Sequence, residues 1–352
     1  MTHPFWSRRR VLVTGHTGFK GAWLSLWLQR MGAVVTGFGL PPEDPGSTFP
    51  SLAPWPGLQS HLGDIRDAGA VAEVLARSDP EVVFHLAAQA LVHRGYQHPF
   101  DTYHTNVIGA ANLLSQLHAC PSLRTVVVVT SDKVYENNGE RRAFVERDRL
   151  RGNDPYSSSK ALTELLVAGW RHCRPAGCDI AISTARAGNV IGGGDRAPDR
   201  LLPDAWRALE AGRPLALRFP EATRPWQFVL EPLYGYLLLA EHLTTEPAEA
   251  PQAVNFGPEP DCSRPVREVV DAVFKFAGTG TWQLAEAASF PEASSLHLDV
   301  SLAREALGWA PRLSLDVALA WTVEWWRARD QGADLRELAS AQIAAYEDLI
   351  PA

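Results

Sequence analysis

The chain has 352 residues, 46% hydrophobic and 21% charged, with 33 basic against 40 acidic side chains and a formal net charge of -7. This length suits one large domain with a smaller one, or two interleaved lobes, and the acidic balance without a basic block excludes nucleic acid as an expected partner. No apolar run reaches membrane-spanning length, and residues 1–15 lack the apolar core and small-residue cleavage site of a secretion signal.

In chain order, residues 11–14 read as a strand, 18–31 as a helix and 33–38 as a second strand. Residues 41–56 are rich in Pro, Gly, Ser and acidic side chains and predict a long loop bordering a cofactor edge. Strands follow at 82–86, 126–130 and 180–185, with helices at 104–118 and 156–172. Short, continuously apolar strands alternating with amphipathic helices predict an α/β fold built on a doubly wound parallel sheet.

After Ala187 the texture changes, with Gly192-Gly-Gly-Asp195, prolines between 198 and 203, and more Trp. Residues 253–256 read as one more strand of the first sheet. The expected division is therefore a cofactor domain over 1–187 with a returning segment near 228–260. A smaller, mostly C-terminal α/β substrate lobe would take 188–227 and 261–352. Amphipathic helices are predicted over 264–276 and 316–329, and Trp321, Trp325 and Trp326 read as a packing stripe. The cysteines Cys120, Cys173, Cys178 and Cys262 are scattered. That suits reduced thiols of a cytoplasmic protein, and no His or Cys motif accompanies them to suggest a metal.

Gly15, Gly18 and Gly21 form G-x-x-G-x-x-G between a predicted strand and helix. The first permits a tight turn, the second lets a pyrophosphate approach the backbone, and the third lets helix and strand pack closely. The helix start then offers N–H donors to phosphate, so a Rossmann-like dinucleotide site is expected. The second strand ends in Phe38-Gly-Leu40 with neither an acid for a ribose hydroxyl nor an Arg for an extra phosphate. Glu43 or Asp44 is left to serve, and this acidic loop favours NAD. Asp64 is a candidate for adenine contact, while Asp67 reads equally well as a helix cap.

Tyr156 and Lys160, four apart, share a helix face, where an ammonium can hold a phenol acidic. The strand at 126–130 runs into Ser131-Asp132-Lys133 at the carboxyl edge of the sheet, where ligands of such folds bind. Ser131, Tyr156 and Lys160 make a proton relay for hydride chemistry on a carbinol. Asp132 and Lys133 add an acid and a base for further steps after oxidation, although an Asp-Lys pair also occurs in ordinary surface turns.

These residues carry a resemblance. Thr14-Gly-His-Thr-Gly-Phe-Lys-Gly21, Phe84-His-Leu-Ala-Ala-Gln89, Thr105-Asn-Val-Ile-Gly109, Ser131-Asp-Lys-Val-Tyr-Glu-Asn137, the 156–160 segment, the 185–195 segment and Arg224-Pro-Trp-Gln-Phe-Val-Leu-Glu-Pro232 are similar to the extended short-chain dehydrogenase/reductases that act on nucleotide-sugars. Ser-Asp-Lys resembles the branch that acts on CDP-glucose, since the dTDP-glucose dehydratases place a glutamate at the position of Lys133. The resemblance implies 4,6-dehydration of CDP-glucose with NAD, with Tyr156, Asp132 and Lys133 as proton carriers and Lys160 orienting the nicotinamide ribose. It extends the cofactor set to Thr17, Phe19, Lys20, Ile65, Leu86, Ala87, Ala88 and Thr105, counts Tyr156 and Lys160 among the cofactor contacts as well, and proposes Asn189, Arg200, Arg224 and Trp226 for the substrate.

Arg200 reads alternatively as a salt-bridge partner of Asp199 or Asp204. Departures from the family pattern are His93 for Arg, Gly95 for Ser and Phe228 for His, all expected on the substrate side of the cleft. The family also implies a homodimer through the helices at 104–118 and 156–172. A 4-epimerase with the same relay and a non-catalytic NAD-binding scaffold are the competing readings.

Overall fold

The computed structural model describes residues 3–139, 142–174, 177–285 and 296–351. Six strands in chain order are β1 (Arg10–Thr14), β2 (Val34–Gly39), β3 (Gln59–Leu62), β4 (Val82–His85), β5 (Thr125–Val129) and β6 (Ala181–Ala187). With Ala253–Phe256 they form a seven-stranded sheet in the order Ala253–Phe256, β6, β5, β4, β1, β2, β3. Every pairing is parallel. Chain direction across the sheet reverses between β1 and β4, which opens a crevice at their carboxyl ends.

Burial on both faces explains the continuous apolar runs. Val11 and Val13 enter one core and Leu12 the other; Val127 and Val129 divide from Val126 and Val128 in the same way. Thr14 lies opposite both Phe38 and His85, so the loops after β1, β2 and β4 start at one level and face one crevice.

Most predicted elements fall within a residue or two of the observed ones, which include α1 (Phe19–Arg30), Pro155–Cys173, Val266–Ala277 and Leu315–Asp330. The predicted helix over 104–118 is irregular. It opens as a π turn, His104–Ile108, continues as α over Gly109–Gln116 and ends as 3-10 over Leu117–Ala119. The wide turn carries Asn106, whose side chain accepts from Gln89 N (2.8 Å) and donates to Gln89 O (3.0 Å) and Ser159 Oγ (2.8 Å). The helix is thereby tied to the loop after β4 and to the Tyr156 helix, a common use of such bulges. The predicted loop over 41–56 contains a single helical turn, Thr48–Ser51.

Beyond β6, short strand pairs build the smaller lobe. Val190–Ile191 pairs with Gln227–Phe228, Thr223–Pro225 with Ser263–Pro265, and Leu215–Leu217 with Trp282–Leu284. The Trp stripe packs as expected, with Trp325 and Trp326 fully buried and Trp321 edge-on to Phe228. The helix Leu335–Glu347 lies against α1, where Trp27 Nε1 donates to Glu347 Oε1 (2.8 Å).

Two buried histidines flank the crevice. His85 shares a hydrogen bond with Thr14 Oγ1 (2.8 Å) and His16 one with Ser60 Oγ (2.7 Å). Burial lowers His85 from its ordinary 6.5 to about 3 and His16 to about 4. Both therefore bind protons more readily unfolded, so their contribution is full above pH 6.5 and is lost as pH falls toward those values. The melting temperature should drop between pH 6.5 and 5, above the range where carboxylates titrate, and His85→Asn should flatten that slope. Equal slopes in parent and variant would contradict the assignment.

Candidate active site

The glycine turn is shaped as its sequence requires. Gly15 has φ +75°, and a Cβ there would lie 2.8 Å from Ala87 N. A Cβ on Gly21 would lie 2.1 Å from Gly15 O, so α1 rests directly on the turn. At Gly18 a Cβ would meet only Gly15 O, at 3.3 Å, and no side chain caps α1. A close backbone approach at the switch point, beside an uncapped helix start, fits a dinucleotide diphosphate.

Around the cradle, Thr17 Oγ1 donates to Leu40 O (2.7 Å), fastening the turn to the end of β2. Leu86 N donates to Thr14 O (3.1 Å) and Ala87 N to Thr14 Oγ1 (3.3 Å), while Ala88 is half-buried. Ile65 is buried beneath Gly109, and Thr105 is half-buried on the π turn. Phe19 packs toward Gly192.

Asp64 is engaged by Arg66, with Nη2 to Oδ2 at 2.6 Å, and that bond holds its carboxyl below the ordinary range. Asp67 caps Ala68–Ser78 by accepting from Gly69 N and Ala70 N, as the capping alternative anticipates. Glu43 pairs with Arg94 (3.1 Å) and Asp44 with Arg196 (2.9 Å), so both acids of that loop bridge to other segments. Lys20 Nζ donates to Tyr236 OH (3.4 Å). Burial, with Arg200 nearby, lowers it to about 8.

The relay residues converge. Ser131 and Asp132 leave the end of β5 buried, and Tyr156 and Lys160 come to them from Pro155–Cys173, also buried. Asp154 and Ser157 form a reciprocal capping box that fixes the start of this helix and with it the phenol. Ser131 Oγ donates to Asp132 Oδ1 (3.0 Å) and accepts from Lys133 N (3.2 Å), and it acts on the Tyr156 phenol to lower its pKa. Lys133 stands on the same 3-10 turn, Asp132–Val134, with its side chain exposed. Lys160 Nζ donates to Val129 O (3.1 Å).

The expectation that Lys160 holds the phenol acidic is not met. Burial pushes Tyr156 up to about 12, against the opposing Ser131 hydrogen bond. Burial, with Lys20 nearby, lowers Lys160 to about 7. Desolvation penalises both charged forms, and neither side chain is among the groups that shift the other.

The substrate candidates are more dispersed. Asn189 follows β6 at φ +50° and its carbonyl accepts from Gln227 N (3.2 Å). Arg200 is paired, but with Asp195 (2.8 Å); Asp199 binds His93 (2.7 Å) and Asp204 binds Arg207. Arg224 is half-buried in its short strand and donates to Thr223 O (3.0 Å). Trp226 is buried, and its Nε1 has no partner among the described residues.

Two family departures find structural roles. Gly95 stacks on the start of the catalytic helix, where a Cβ would lie 3.2 Å from Tyr156 N. Phe228 corrects the expectation that it borders the substrate. It is fully buried, edge-on to Trp23 and Trp321, because its strand faces it into the core.

Sequence reasoning missed a buried network behind the site. Glu164, one turn after Lys160, accepts from Arg186 Nε (2.9 Å) and Nη2 (2.8 Å), Thr184 Oγ1 (2.7 Å) and Thr130 Oγ1 (2.5 Å). Arg186 also reaches Tyr135 OH (2.8 Å), on the loop that carries Asp132 and Lys133. The i, i+4 spacing to Lys160 was the available signal.

Known proteins resemble this chain in sequence and fold. The NAD dependent epimerase/dehydratase family profile matches residues 11–257. A CDP-glucose 4,6-dehydratase of Salmonella typhimurium is 41% identical over 97% of both chains. A dTDP-glucose 4,6-dehydratase of Xanthomonas campestris is 26% identical over 90% of this chain and 92% of its own. The crystal structure of DesIV, a dTDP-glucose 4,6-dehydratase from Streptomyces venezuelae with NAD and TYD bound, superposes with a TM-score of 0.80. It is 24% identical and covers 93% of this chain and 99% of its own, a likeness that shows the fold.

Proposed function

The chain belongs to the NAD dependent epimerase/dehydratase family, and from that premise we propose that it removes water from CDP-glucose to give CDP-4-keto-6-deoxyglucose. The single observation that carries this reading is that Ser131 and Asp132 lie buried with Tyr156 and Lys160, with Lys133 next on the same turn. An oxidoreductase or epimerase needs only the relay; elimination also needs an acid and a base next to it.

NAD, when bound, supplies the acceptor for a hydride from C4 and returns it to C6. Tyr156 takes the proton of the 4-hydroxyl once the positive nicotinamide of bound NAD offsets the burial that raises its phenol, and Lys160 would hold the nicotinamide ribose. The ketone at C4 acidifies the C5 proton, which Lys133 removes. Asp132 delivers a proton to the departing 6-hydroxyl, and C5 is then reprotonated. Atoms balance as the loss of one water, and the cofactor ends as it began. Ser131, bonded to Asp132 and acting on the Tyr156 phenol, links the two groups.

The nucleotide-sugar is assigned to the lobe of residues 188–227 and 261–352, with Asn189, Arg200, Arg224 and Trp226 as its contacts. Arg200 keeps further N–H donors beyond the bond to Asp195, which suits a diphosphate. No helix among the described residues is long and apolar enough to cross a membrane, and a cytoplasmic setting is proposed. So is a homodimer, on exposed Ile108 (48%), Leu162 (43%) and Leu165 (56%), which mark an apolar strip on the two helices expected to pair.

The direct test offers CDP-, dTDP- and UDP-glucose separately and follows products by NMR. A 4-keto-6-deoxy sugar formed fastest from CDP-glucose supports the proposal. A galacto-configured product would make the protein an epimerase, and unchanged sugars a scaffold.

A further inference from the structure

Gly188 follows β6 where the chain passes beneath the loop carrying Asp132. Its φ lies outside the left-handed region, so any residue fits its backbone there and space alone requires glycine. An added Cβ would stand 1.9 Å from Asp132 Oδ2, 2.0 Å from Cγ and 2.3 Å from Oδ1. Those distances lie far inside contact, and the obstructing group is the whole carboxylate. The carboxylate therefore occupies the volume that any other side chain at 188 would fill.

This seat has its own fastening. Gln227 is 3% exposed, and its Nε2 donates to Gly188 O (3.1 Å) and Phe256 O (3.0 Å). Its backbone N donates to Asn189 O (3.2 Å), so one residue holds the 188–189 segment at two points. The next residue, Asn189, takes the left-handed turn that leads the chain away. From the other side Ser131 Oγ binds Asp132 Oδ1.

We infer that Gly188, held by Gln227, is a positioning element that sets the Asp132 carboxylate for proton delivery to the leaving hydroxyl. This rests on the reading of Asp132 as the acid of the elimination. Neither Gly188 nor Gln227 touches the reacting atoms. A displacement of about 1 Å in a reacting group costs on the order of a hundredfold in rate, and a methyl at 188 forces at least that shift.

The experiment compares Gly188→Ala, Gln227→Leu and Asp132→Asn with the parent enzyme, reading kcat, KM for CDP-glucose and nicotinamide absorbance in single turnover. Gly188→Ala is expected to lower kcat about a hundredfold with KM little changed. Reduced nicotinamide should accumulate, because oxidation at C4 proceeds while elimination stalls. Gln227→Leu adds no bulk to the seat and should show the same absorbance signature with about a tenfold fall. It carries the test if Gly188→Ala fails to fold. Asp132→Asn must stall in the same way. If it stalls while both neighbours turn over like the parent, the positioning role is overturned. If Asp132→Asn itself turns over normally, the reading of Asp132 is wrong and the inference falls with it.

Discussion

Replacing Tyr156 with Phe is expected to lower kcat for CDP-glucose by about 10²- to 10⁴-fold, the usual contribution of a positioned acid–base group. Only the hydroxyl is removed. The ring stays where the Asp154 and Ser157 capping box and the packing of Pro155–Cys173 put it. Ser131 keeps its donation to Asp132. NAD binding, followed by quenching of tryptophan fluorescence, should therefore be unchanged, and so should the melting temperature to within a few degrees. A variant that retained more than about a tenth of parental turnover would show that the proton leaves the 4-hydroxyl by another route.

The second large effect is on stability. Arg186 and Glu164 are 4% and 3% exposed, and the carboxylate collects hydrogen bonds from Arg186, Thr184 and Thr130. Arg186→Met leaves Glu164 charged, buried and short of its strongest donors, which costs about 3–5 kcal/mol. Urea denaturation should show that loss as a lower midpoint at nearly constant slope. The double variant Arg186→Met with Glu164→Met should recover part of it, because no unpaired charge remains. Tyr135 loses its Arg186 contact as well, so kcat should fall in the single variant even where it is fully folded. An Arg186→Met midpoint equal to the parent's would mean that this network contributes nothing to the fold.

The features legible in the sequence were those in which one residue type has one physical use. The glycine turn was readable because backbone crowding at Gly15 and Gly21 leaves no room for a side chain. Strands β1, β4 and β5 were readable because burial on both faces makes them nearly continuous apolar runs. β3 was not: Gln59–Leu62 is an edge strand, mostly exposed, and its residues carry no apolar pattern. The helix Leu230–Thr245 escaped for the opposite reason. It is buried nearly all round, so no amphipathic period distinguishes it, and Pro232 in its first turn reads as a breaker.

In the site, the relay and the Asp-Lys pair were visible as spacings along the chain. Their supports were not. Asp132 meets Gly188, Arg200 meets Asp195 and not Asp199 or Asp204, and Glu164 meets Arg186 through contacts set by tertiary packing. The sense of the Tyr156 and Lys160 shifts also depends on burial. Spacing reports that a phenol and an ammonium are neighbours; how dry their surroundings are decides which way each titrates.

The most direct test of the whole account follows a single deuterium. CDP-glucose labelled at C4 is converted by the enzyme with bound NAD, and the product is examined by NMR. Deuterium found on C6 of a 4-keto-6-deoxy sugar is the predicted result. Deuterium kept at C4, or an unaltered sugar, would contradict it.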